Sequence, residues 1–191
     1  MTQGLGALAA LRRRARKRSD DEERCDLCAA PVPSDHRHLF EPKGRQVVCA
    51  CGACAILFPA QANARYKEVP RDVRRLTDYA LTDEQWDGLM IPINIAFFVR
   101  SSVAGKMTAF YPSPAGAMES SLDLSDLPPV ALEEDVEALV VNRLAAPQYW
   151  VLPIDHCYRL VGLVRTKWRG LSGGDEVCTA IEQFFAELRD A

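Results

Sequence analysis

Two Cys-x2-Cys pairs, Cys25-Asp-Leu-Cys28 and Cys51-Gly-Ala-Cys54, lie 22 residues apart and constrain this chain more than any other feature. Two cysteines three apart on a tight turn aim both sulfurs at one point. Two such turns supply the four thiolates of a tetrahedron. Between them, Pro31, Pro33 and Ser34 interrupt helix early, and Gly44 separates two short expected strands, His38–Phe40 and Gln46–Val48. A knuckle, a hairpin and a second knuckle is the layout of a zinc ribbon. Gly52 is expected to let backbone amides approach the sulfurs.

The expected ligands are therefore Cys25, Cys28, Cys51 and Cys54. Cys49 sits too close to Cys51 for the usual turn, and reads as a small buried hydrophobe or a thiol behind the ligands. His36 and His38 would share one face of a strand. They read as a solvated or hydrogen-bonded pair, with replacement of one cysteine ligand by a histidine as the alternative. Four thiolates close the shell of a zinc ion and stabilise a fold. Iron in a rubredoxin-like tetrahedron, or an iron–sulfur cluster, uses the same spacing.

Seven cysteines could instead mean disulfides, so compartment matters. Gly4 to Leu11 is apolar, but its charges follow it, the reverse of a secretory signal. No apolar run approaches the roughly 20 residues that span a bilayer. The expectation is a cytoplasmic protein with reduced cysteines on metal. Net charge is only −3, so no global field recruits nucleic acid or an anionic membrane.

The 191 residues, 48% of them apolar, suit a small metal-clasped module fused to a body with its own core. The expected division is a basic mobile arm over 1–24, a ribbon-like four-cysteine metal-binding module over 25–58 and an α+β domain over 59–191. Val69-Pro70 predicts a helix beginning at the proline, with Val73 and Leu76 facing inward. Thr82-Asp-Glu-Gln85 fits a capping box, and Leu81 with Trp86 fits the hydrophobic staple across it. Strands are expected over Ile93–Arg100, Lys106–Tyr111, Met118–Leu124, Ala138–Leu144 and Gln148–Pro153, with an acidic helical segment around Glu133–Glu137. Two helices close the chain. Asp155 is placed to cap the first, which buries Cys157, Leu160, Val161, Val164 and Trp168. Val177, Ile181, Phe184, Phe185 and Leu188 form the stripe of the second. The fold class is thus α+β, a zinc-ribbon-like four-cysteine module followed by an antiparallel-sheet domain with two C-terminal helices.

Other chemistry is thin. In Asp155-His156-Cys157, adjacent helical residues point about 100° apart, so His156 and Cys157 do not face each other. Cys157 and Cys178 both read as packing. Arg169-Gly-Leu-Ser-Gly-Gly174 before a helix could bind an anion, but it lacks a P-loop pattern and does not follow a strand. Trp168, Arg169 and Ser172 are a candidate partner-binding patch.

The segments Arg24–Cys28, His36-Arg-His38-Leu39, Cys49–Cys54, Phe110–Glu119, Val141–Leu144, Pro153–Gly162 and Trp168–Gly174 resemble a domain family of unknown function, from about residue 24 onward. Its members are often encoded beside actinobacterial-type uptake nickel–iron hydrogenase genes. The resemblance implies an accessory or assembly role, with a hydrogenase subunit or maturation factor as protein partner, and no known activity. The expectation is a non-enzymatic metal-binding accessory protein. Two alternatives stand beside it: a redox or iron–sulfur handling protein, and a nucleic-acid-binding ribbon assisted by Arg12–Arg18. The body shows little basic or aromatic patterning to support the last.

Overall fold

The computed structural model describes residues 23–61, 63–120, 124, 127–170 and 173–190. The Arg12–Arg18 run and Ser172 lie outside the described residues, as does most of the stretch beyond Ser120 where the third strand was expected to continue.

The protein is α+β, with two antiparallel sheets and two C-terminal helices. The first sheet has the order β2-β1-β3, formed by β1 (Arg37–Glu41), β2 (Gln46–Ala50) and β3 (Lys67–Glu68). β1 and β2 are the expected hairpin, paired from Arg37↔Ala50 to Glu41↔Gln46. A short helix, α1 (Gly52–Leu57), follows at once, with Cys51 as its N-cap residue.

The second sheet has the order β4-β9-β8-β5-β6-β7. Its strands are β4 (Arg74–Arg75), β5 (Ile95–Ser101), β6 (Lys106–Ser113), β7 (Gly116–Ser120), β8 (Glu137–Asn142) and β9 (Gln148–Pro153). The central strands are apolar on both faces because both faces are covered. Ile95, Phe97, Val99, Val140 and Trp150 meet α3 (Ile154–Lys167) and α4 (Gly174–Asp190). Ala96, Phe98, Leu139, Val141 and Tyr149 meet Leu81, Trp86 and Leu89, around α2 (Asp83–Gly88). Phe97, Phe98, Phe184 and Phe185 are almost wholly buried, and each such side chain stabilises the fold by about 1.5–3 kcal/mol.

The capping box forms in full. Thr82 Oγ1 accepts from Gln85 N at 3.1 Å, and Gln85 Oε1 accepts from Thr82 N at 3.0 Å. The stripes of both C-terminal helices are buried as expected, with Trp168 half-buried at the end of α3.

Several expectations fail for reasons of tertiary contact. No helix begins at Pro70. That stretch forms the two-residue strands β3 and β4, and Val69 enters the main core. Glu133–Glu137 is not helical but a turn leading into β8. Its acids find remote partners: Glu137 takes Arg74, and Glu134 and Asp135 take Lys67. Asp155 does not cap α3. Pro153 holds that position, and Asp155 sits in the first turn, where Oδ1 accepts from His156 N at 2.8 Å. Cys178 is exposed, not packed.

The ribbon sheet is wired into the body. Phe40 of β1 and Val69 join the core beneath α3. Lys67 Nζ lies 2.7 Å from Asp135 Oδ2, and His38 Nδ1 donates to Asp155 Oδ2 at 2.7 Å.

Candidate metal centre

The first knuckle is a turn at Asp26–Cys28, closed by Cys25 N donating to Ala30 O at 2.8 Å and Ala29 N donating to Cys25 O at 2.8 Å. Asp26 clamps this turn to the end of β2. Its amide donates to Cys49 O at 2.9 Å, and its Oδ2 accepts from Cys49 N at 2.6 Å. The second cysteine pair is not a bare turn, because Cys51 and Cys54 flank the first turn of α1. Gly52 is not needed for a close approach. A Cβ there would meet nothing within 4 Å.

These two elements bring Cys25, Cys28, Cys51 and Cys54 together, with every sulfur within 4.8 Å of the others. Cys28 Sγ and Cys51 Sγ are 3.6 Å apart. Bond lengths of about 2.3 Å to a tetrahedral zinc ion put sulfurs about 3.8 Å apart, so the set fits one small cation. All four cysteines are free thiols.

The electrostatics of the four thiols favours a cation there. Burial alone raises the Cys25 thiol. The backbone amides of Cys51, Leu27 and Cys28 reverse that and lower it to about 6. Cys51 is lowered too, first by the Cys54 amide. Cys54 is pushed up to about 12, by burial and then by the sulfurs of Cys28, Cys51 and Cys25. Four sulfurs this close cannot all ionise unaided, and a divalent ion held among them would supply the missing positive charge.

Cys49 stands apart from this set. It groups with His36 and His38, whose ligand atoms and its own lie within 4.8 Å of one another. Register explains the grouping, since His38 lies opposite Cys49 across the hairpin. His36, just before β1, shares the face of His38, and their rings meet edge-on with centroids 4.7 Å apart. Burial and the nearby charges of Asp26, Glu23 and Cys25 raise the Cys49 thiol. The spacing from Cys49 to Cys51 hid this cluster in the sequence. The pairing of a histidine strand with a cysteine strand was the signal that could have found it.

The other expected site residues belong elsewhere. Trp168 Nε1 donates to Gly170 O at 3.0 Å, and Arg169 Nη1 donates to the carbonyls of Thr166 and Trp168, both at 3.1 Å. The turn therefore uses these polar groups internally. Cys157 is fully buried in the main core, and burial raises its thiol far above the ordinary range. Among the described residues, no helix is long and apolar enough to cross a membrane.

No curated protein and no solved structure matches the chain. One family model does, over residues 24–191, and its description is a family of unknown function (DUF5947). A match covering both the cysteine knuckles and the whole α+β body places this chain in that family of unknown function.

Proposed function

We propose that this is a non-enzymatic accessory protein, stabilised by zinc on Cys25, Cys28, Cys51 and Cys54, that works by docking a protein partner. The observation that carries the reading is the closed set of four sulfurs. A shell filled by protein thiolates leaves no position for water or substrate, so its ion holds a surface in shape. That surface includes Ile56 and Leu57 of α1, 68% and 62% exposed, two and three residues after Cys54. Apolar side chains presented on a metal-rigidified element suit a protein contact. A nickel–iron hydrogenase subunit or maturation factor is the proposed partner, supported by the gene neighbourhood that the sequence resemblance carries. The protein would act in the cytoplasm.

The test is co-purification with hydrogenase subunits, together with hydrogenase maturation in a strain lacking the gene. Recovery of a subunit, lost on Ile56→Asp with Leu57→Asp, is the expected result. No recovery, with normal maturation in the deletion strain, would overturn the reading. The same sulfur tetrahedron also accommodates iron. Elemental analysis of anaerobically purified protein decides the metal, with one zinc per chain on the four cysteines and a colourless solution expected.

A further inference from the structure

We propose that His36, His38 and Cys49 form a second metal site, separate from the four cysteines, that binds a borderline divalent ion such as zinc or cobalt through three protein ligands and leaves a fourth position open.

The orientation of each imidazole carries the proposal. A carboxylate only accepts hydrogen bonds, so His38 Nδ1 bears the proton it donates to Asp155 Oδ2 at 2.7 Å. Its Nε2 is then the bare nitrogen. His36 repeats the arrangement with a different acceptor, since Nδ1 donates to Pro33 O at 2.9 Å. Both rings are thus held in the tautomer a metal requires, by a carboxylate and a carbonyl behind them.

His36 supplies the second observation. Its side chain is only 5% exposed, and its Nε2 is buried with no hydrogen-bond partner among the described residues. A buried nitrogen lone pair left unsatisfied is destabilising. A cation shared with Cys49 and His38 would satisfy it, since His36, His38 and Cys49 each offer a ligand atom within 4.8 Å of the others.

The donors also suit the ion. Two neutral imidazoles and one thiolate favour zinc, cobalt and nickel over the hard ions calcium and magnesium. Their summed charge of −1 leaves a divalent ion with net positive charge. The fourth position would take water or a donor atom from another molecule, and the half-buried His38 and Cys49 leave access to it. A closed four-sulfur site and an open three-ligand site would then share one hairpin end. Asp26 braces both, because it clamps Cys49 from within the first knuckle.

This inference does not rest on the docking role. Its test is a cobalt titration of the reduced, chelator-stripped full chain. Two equivalents per chain are expected, the second binding at least tenfold more weakly. Cys49→Ser and His36→Gln should each bind one equivalent while keeping the spectrum of the four-sulfur site. Asp155→Asn, which removes the carboxylate charge behind His38 while an amide oxygen can still accept from His156 N, should weaken the second equivalent about 10–100-fold and leave the first unchanged. A variant that misfolds is bypassed by X-ray absorption on the wild type, where the second equivalent should add imidazole scattering to an all-sulfur shell. One equivalent in the wild type would overturn the second site while sparing the first. Two equivalents persisting in both ligand variants, or an all-sulfur shell at two equivalents, would overturn it as well.

Discussion

A serine at position 28 and a serine at position 157 remove the same atom from very different surroundings. Cys28 is exposed and 3.6 Å from Cys51 Sγ. Cys28→Ser should lower the zinc content at the four-sulfur site to well under half an ion per chain and loosen residues 25–58, as read by elemental analysis and amide exchange. Cys157 is wholly buried beneath the sheet. Cys157→Ser should keep its metal and lose about 1–3 kcal/mol in denaturant unfolding, because the hydroxyl enters an apolar site without a partner. The core role of Cys157 was legible from its place on the α3 stripe. So was the meeting of the four sulfurs of Cys25, Cys28, Cys51 and Cys54, because Cys-x2-Cys is a local signal. The grouping of His36, His38 and Cys49 was not. It depends on which residue of β2 lies opposite His38, and pairing register is set by the whole hairpin.

At the scale of elements, the informative case is β3, two residues long, which carries Lys67 onto a buried carboxylate. Asp135 is 3% exposed at its side chain, and its Oδ1 also accepts from Ser102 N at 2.8 Å. Lys67→Met leaves that carboxylate without its cation. A fully buried broken pair costs about 3–5 kcal/mol. Lys67 is about one-third exposed, so screening reduces the expected loss to about 2 kcal/mol. Burial acts to lower the Lys67 ammonium, but its bonds to Asp135 and Glu134 outweigh this and raise it above the ordinary value of 10.5. The folded value exceeds the unfolded one, so the contribution is complete below pH 10.5 and fades as pH rises through the folded value. Urea melts of wild type and Lys67→Met should differ by a constant amount between about pH 6 and pH 9, and the gap should narrow as pH rises past 10.5. A gap that widened with alkali would contradict the pairing. The same contacts show why local signals mislead here. Val69-Pro70 carries a good helix-start signal and Glu133–Glu137 a good helical composition. Both are overridden by partners far away in sequence, such as Glu134 67 residues from Lys67, which no local pattern contains. The capping box at Thr82 and the paired strands of the large sheet were legible because a cap, a turn and a continuous apolar run are local.

For the whole molecule, the question is whether an ion on the four sulfurs would hold the body or only its edge. Binding of a structural zinc ion is worth about 10–16 kcal/mol in small peptides, comparable to the entire stability of an ordinary domain, about 5–15 kcal/mol. That is enough to unfold residues 25–58 when the ion leaves. The body keeps a core of its own, in which Phe97, Val140, Leu152, Phe184 and Phe185 are almost wholly buried. From the neighbourhood of the small sheet, Phe40, Val69 and the partly buried Val47 reach that core. Chelation under reducing conditions should therefore raise amide exchange by more than tenfold in β1, β2 and α1, and leave β5, β8 and β9 protected. The strip of core beneath Phe40 should loosen with the ribbon, so the N-terminal turn of α3 around Asp155 should gain exchange before its C-terminal turns. Uniform loss of protection across both sheets would mean instead that the hairpin and body fold as one cooperative unit. The metal would then set the stability of the entire chain through Phe40, His38 and Lys67. Hydrogen exchange by mass spectrometry, with and without chelator, separates the two outcomes directly.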